Sequence, residues 1–181
     1  MRKPRTMGAR KRAARITRRE RGASTLEFVL ILPFFLLVVF MIIELGLVFV
    51  AQELLDNAAR DGARLLRIGT LSGSSYSTAL ATAVCNDLTT TTFTLVPSCT
   101  QNIQIYVAAT NSGNPAGSGF QSLKTATVSG QSMTQTKASV SANYDVVMQI
   151  GYAYPWTLPG ISLLTGNTML ISTIAFQTEP Y

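Results

Sequence analysis

Residues 21–51 read RGASTLEFVLILPFFLLVVFMIIELGLVFVA, and the fold turns on this stretch. From Leu26 to Ala51 the run is apolar apart from Glu27, Pro33, Glu44 and Gly46. Its 26 residues, as a helix rising ~1.5 Å per residue, reach about 39 Å, enough to cross a ~30 Å hydrocarbon layer with some tilt. A secretory signal has a shorter apolar core, about 7–15 residues, followed by a small-residue cleavage site, so the run reads as a membrane span. Pro33 removes one helical hydrogen bond, which predicts a kink or a local unwinding.

The chain of 181 residues has a formal charge of +6, but ten of its fifteen Lys and Arg lie between Arg2 and Arg21. From Ala23 onward Arg60, Arg64, Arg67, Lys124 and Lys137 stand against eight acidic residues, a net of −3. The basicity therefore belongs to a tail. Such a tail can neutralise nucleic-acid phosphates or hold the cytoplasmic flank of a membrane helix. The apolar run that follows at once favours the membrane flank over nucleic acid and places everything after about Gln52 outside.

Downstream of the span the helix is expected to continue. Leu54, Leu55, Ala58, Ala59, Ala63, Leu65, Leu66 and Ile68 form an apolar stripe of good helix formers. Arg64 and Arg67 suit a helix C-terminus, and Gly69 supplies a stop. Asp56–Arg60 is an attractive i,i+4 pair and Arg60–Arg64 a repulsive one, as on a solvated face. After a polar turn at Leu71–Ser75, a short second helix is expected over Tyr76–Leu88. Alternation then signals strands around Ile103–Val107, Val140–Tyr144 and Thr168–Thr178, with a loop at Asn111–Gly119 and a turn-rich connection at Tyr154–Gly160.

The fold class predicted is α+β: a long N-terminal transmembrane helix entering a small extracytoplasmic domain with a short helix and an antiparallel sheet. Residues 1–22 are a basic leader, expected to be disordered in isolation. Residues 23–51 are the transmembrane helix, starting near Ser24, 52–69 its continuation outside, and 70–181 the α+β domain. Cys85 and Cys99 would lie in an oxidising compartment, where a disulfide can persist; two free thiols are the alternative.

The chain contains no histidine, which removes Ser-His-Asp and Cys-His catalysis and His-ligated zinc. It carries no Gly-rich phosphate loop, and its acidic residues after Ala23 are scattered without metal-ligand spacing. An enzyme is not expected, nor is a cofactor or metal.

What the sequence does carry is a carboxylate in an apolar helix, five residues past a glycine. With Ala23 at the cytoplasmic boundary, Glu27 lies about a turn inside the membrane, where it needs a cation or must be neutralised. Cleavage after Gly22 would create such a cation, the α-amino group of Ala23, in the same chain or a neighbouring subunit. Without cleavage, Glu27 can snorkel to the interface or be protonated. Glu44 falls about 32 Å along the helix from Ala23, near the outer headgroups, where it can stay interfacial or pair with a partner subunit.

The junction Arg21-Gly22, followed by Glu27-Phe28 and an apolar helix, resembles the class III leader junction of type IV pilins and pseudopilins. Further segments narrow the resemblance: Thr25-Leu26-Glu27-Phe28-Val29-Leu30, Leu32-Pro33, Ile43-Glu44-Leu45-Gly46 and Asn57-Ala58-Ala59-Arg60-Asp61-Gly62-Ala63-Arg64. Together they look like the TadE-like family of the tight-adherence (Tad) pilus system, and the terminal Glu179-Pro180-Tyr181 is similar to endings in that family. The resemblance implies cleavage between Gly22 and Ala23 by a prepilin peptidase and subunit docking through Glu27. It also makes Glu44, Arg60, Gly62 and Arg64 candidates for subunit contacts, Gly62 because a small residue admits a neighbouring helix. Implied partners are other pilins or pseudopilins, membrane lipid, and an inner-membrane assembly platform with a secretion ATPase. Phe28 stands where the Tad major pilin usually has tyrosine, and the long outer region favours a minor pilin or pseudopilin. The alternative is a permanently anchored single-pass protein that scaffolds an envelope complex or binds a ligand through its outer domain.

Overall fold

The computed structural model describes residues 8–71, 76–89, 96–113, 116–156, 166 and 168–180, with side chains from Thr25 onward. It forms two compact units, Met1–Ile43 and Glu44–Tyr181.

Helix α1 spans Gly8–Arg67, 60 residues. It starts well before the expected Ser24 because residues 8–21 are mostly Ala, Arg and Lys, good helix formers with no proline among them. Gly22 weakens a helix by about 1 kcal/mol relative to alanine without ending it. The helix also runs through Pro33 without a break in its assignment, so the expected local unwinding does not occur. Within the first unit most described apolar side chains are exposed, Phe34 to 74 %, while Leu32, Val39 and Met41 are half-buried. The segment from Thr25 to Arg67 is long and apolar enough to contain one membrane crossing. At the far end Gly69 takes up φ 75°, a left-handed conformation that costs glycine little, and α1 stops as the sequence predicts.

In the second unit, one stripe of α1 is buried: Glu44, Ala51, Leu55, Ala58, Gly62 and Leu66, at intervals of seven, four, three, four and four residues. Helix α2 (Tyr76–Thr89) occupies the predicted place and contributes Leu80, Val84 and Leu88 to the same core. A single turn, α3 (Cys99–Asn102), leads into the sheet. Strands β1 (Ile103–Asn111), β4 (Tyr144–Ala153) and β5 (Met169–Gln177) pair antiparallel in the order β1-β4-β5. Strands β2 (Val128–Ser129) and β3 (Ser132–Met133) form a small hairpin.

The central strand is where sequence and structure part. Alternation over Val140–Tyr144 suggested a strand there, but β4 begins only at Tyr144, and Val140 makes an isolated bridge before it. A strand buried on both faces needs no apolar–polar alternation, and β4 is nearly such a strand. On one face Val146, Met148, Ile150 and Tyr152 meet Val107, Ile105 and Ile103 of β1 and pack into the helix core. Each large apolar side chain buried there contributes on the order of 1.5–3 kcal/mol. The opposite face carries Asp145, Val147 and Gln149, and residues 117–135 strap across it. Tyr106 OH donates to Lys124 O at 2.8 Å, and the Ala126 amide donates to Gln149 Oε1 at 2.5 Å. The Met133 amide donates to Gln104 Oε1 at 2.5 Å. These tethers place a polar second layer over the sheet.

Of the loop expected at Asn111–Gly119, Asn111 closes β1, the described residues 112, 113, 116 and 117 are irregular, and Ser118 opens a 3₁₀ turn, Ser118–Ser122. Ser72–Ser75 of the first expected turn, Thr157–Gly160 of the later connection and residues 1–7 of the leader lie outside the described residues.

Candidate assembly surface

Gly22 and Ala23 sit within α1, on backbone that is helical on both sides of the junction. Glu27 is exposed, on an apolar surface that includes Leu26, Phe28, Val29, Leu30 and Ile31, each more than 60 % exposed. In a bilayer that surface would leave Glu27 the sole carboxylate among lipid chains, where a cationic partner is strongly favoured.

Glu44 is placed otherwise than expected. Only 3 % of it is exposed, on the core-facing stripe of α1, and it is engaged there. Its charge is felt by Tyr154, whose hydroxyl pKa is raised first by burial and then by Glu44. Helical spacing explains the position: Glu44 precedes Ala51 by seven residues and Leu55 by eleven, so it points the same way. Sequence position alone gave its height along the helix but not its facing.

Gly62 also faces inward. A Cβ added to it would lie 2.8 Å from Leu80 Cδ1 and 3.2 Å from Val84 Cγ2 of α2. The small residue does admit another helix, but that helix is α2 of the same chain, which corrects its assignment as a subunit contact.

Arg60 and Arg64 stay outside. With Arg67 and Ala63 they line one wall of a groove of about 290 Å³, the other wall being Ile174, Ala175 and Phe176 of β5. Arg67 Nε lies 3.4 Å from Glu179 Oε1, an exposed ion pair worth little by itself. More important for the fold, the Glu179 amide donates to Arg67 O at 3.0 Å, satisfying a carbonyl at the helix end. The terminal Glu179-Pro180 therefore caps α1. Tyr181 lies outside the described residues.

Cys85 of α2 and Cys99 of α3 form a disulfide, with Cα atoms 5.7 Å apart. The bridge joins the later half of α2 to α3, the turn that leads into β1.

These features fall into two groups, an exposed apolar helix segment with a junction and a carboxylate where it begins, and an α+β domain that includes the helix end. A model described as TadE-like protein matches residues 22–64. Residues 22–64, within the N-terminal helix, are similar to the TadE-like family. The matched segment begins at the junction glycine and contains Glu27, Glu44, Arg60, Gly62 and Arg64, whereas the sheet and the disulfide lie beyond it. No curated protein and no solved structure matches the chain.

Two residues that sequence patterns did not single out lie buried or half-buried in the second unit. Gln52 is half-buried on α1, and its Nε2 donates to Ile171 O at 3.1 Å, tying the helix to β5. Asp145 is wholly buried at the start of β4, and neither of its carboxylate oxygens has a hydrogen-bond partner among the described residues. Gln52 gives no sequence signal for its role, because its partner lies 119 residues along the chain.

Proposed function

We propose that this protein is a pseudopilin or minor pilin taking part in Tad-type pilus biogenesis. It inserts once into the bacterial inner membrane, N-terminus in the cytoplasm and α+β domain outside. A prepilin peptidase cuts between Gly22 and Ala23, and the chain is assembled through its N-terminal helix. The observation that carries this is the coincidence of the TadE-like segment, starting at Gly22, with an exposed apolar helix holding Glu27.

The physical logic is one of unmet charge. Once the leader is gone, the new ammonium of Ala23 and the carboxylate of Glu27 are a cation and an anion at the edge of the same apolar layer. Each is costly alone, and pairing them between subunits lowers the cost of both. Arg60 and Arg64, exposed and cationic above the membrane, supply a second contact for an acidic neighbouring subunit. Other Tad pilins, an assembly platform and its secretion ATPase are the partners this requires.

The test is complementation of a strain lacking the gene, scored by surface pili. The wild-type chain should restore piliation, while Gly22→Ala and the double variant Arg60→Glu/Arg64→Glu should not, although all three reach the membrane at similar levels. Full piliation by Gly22→Ala would leave the alternative, a permanently anchored protein that scaffolds an envelope complex or binds a ligand through its outer domain.

A further inference from the structure

Two hydrogen bonds fix the height of β5 along α1. Gln52 Nε2 donates to Ile171 O, and the Glu179 amide donates to Arg67 O. Between Gln52 and Arg67 the helix rises about 23 Å, and between Ile171 and Glu179 an extended chain covers about 26 Å. Because the two lengths nearly agree, β5 runs beside α1 in the same direction. Followed back from Ile171, three residues of strand, about 10 Å, reach Thr168 at the height of about Leu45. Thr168 O accepts the Tyr154 amide at 3.1 Å, so Tyr154 stands at that height as well.

The side chains agree with this construction. Tyr154 is buried and within electrostatic reach of Glu44. Its ring meets Trp156 edge to face, with centroids 5.5 Å apart. Glu44 directly follows Ile43, where the uncharged run that begins at Phe28 ends. That run is about 24 Å of helix, most of a hydrocarbon layer ~30 Å thick. Elsewhere on the same turns of α1, Phe49 and Val50 remain exposed, so apolar helix surface continues to the height of the domain's rim.

We propose that the rim Tyr154-Pro155-Trp156 rests in the lipid headgroup layer, with Trp156 as an interfacial anchor that seats the outer domain on the membrane. Pro155 is exposed and Trp156 half-buried, its Nε1 donating to Gly166 O at 3.2 Å. An indole with an apolar body and one polar edge is suited to that layer. No Lys or Arg occurs in residues 44–52, 150–156 or 168–171 around the rim. The anchoring is therefore apolar and interfacial, and anionic lipid is not required for it. It rests on a single membrane crossing and holds whether or not the leader is cut.

Trp156 is the only tryptophan of the chain, so its emission reports this site alone. The full chain is reconstituted into phosphatidylcholine vesicles whose acyl chains are brominated near the carbonyl end or near the terminal methyl, with Trp156→Phe as blank. The expected result is a larger loss of emission with the shallow bromines than with the deep ones, and little quenching by aqueous iodide. Quenching by iodide alone would overturn the proposal, as would quenching by none of the three, which would mean that protein covers the indole. A chain that does not float with the vesicles would instead refute the membrane crossing, a separate failure.

Discussion

Gly62 shows how one missing carbon can hold two helices together. Replacing it with leucine would drive a branched side chain into Leu80 and Val84, and overpacking of this kind costs about 1–3 kcal/mol. Gly62→Leu should lower the denaturation midpoint of the purified protein; an unchanged midpoint would mean that α1 and α2 separate easily. Tyr76 makes a different prediction. Its hydroxyl donates to Ala138 O at 2.5 Å, and burial pushes its pKa from 10.0 up to about 12. The folded state thus keeps a proton that the unfolded chain releases earlier. The stability this provides is complete below pH 10 and is lost as pH rises toward about 12. Tyr152, whose hydroxyl donates to Pro97 O, is also pushed up to about 12, chiefly by burial, and adds in the same direction. In Tyr76→Phe the fall in stability between those pH values should be shallower than in the wild type. Parallel curves would show that the hydroxyl does not drive it.

At the scale of elements, the disulfide and the central strand make the contrast. The Cys85–Cys99 bridge closes a 14-residue separation, for which the loop-entropy model gives about 3 kcal/mol. Cys99→Ser should lose about that much in equilibrium unfolding, and α2, tied by its last turns to the sheet, should lose hydrogen-exchange protection first. A loss confined to β5 would contradict this. The elements legible in the sequence were those with a strong local signal. The apolar run of α1, the stripe of α2, the alternation of β1 and the β-branched run of β5 each declare themselves within a dozen residues. β4 did not, because a strand covered by helices on one face and by a strap on the other loses the alternation that marks a strand. Nor could the strap be foreseen, since Gln104 and Gln149 hold it through hydrogen bonds to backbone more than twenty residues away.

For the whole molecule, the same helix serves a membrane and a domain, and one side of it was easier to read than the other. Gly22, Ala23 and Glu27 stand out in the sequence alone, because a carboxylate in an apolar run is conspicuous without any structure; their cleavage and docking roles belong to the proposal. Arg60 and Arg64 were legible as a solvated face. The roles of Glu44 and Gly62 were not, because facing depends on which stripe the domain covers, and that is decided by α2 and the sheet. What remains exposed is, in the first unit, an apolar helix surface holding Glu27 and, in the second, a groove lined by Arg60, Arg64 and Arg67. That is the arrangement expected of a subunit built to enter a larger assembly. Processing after Gly22 can be read from the intact mass of the protein purified from membranes of its native host, beside Gly22→Ala. The expected wild-type mass begins at Ala23, while the variant keeps residues 1–22. A wild-type mass that still includes the leader would contradict processing.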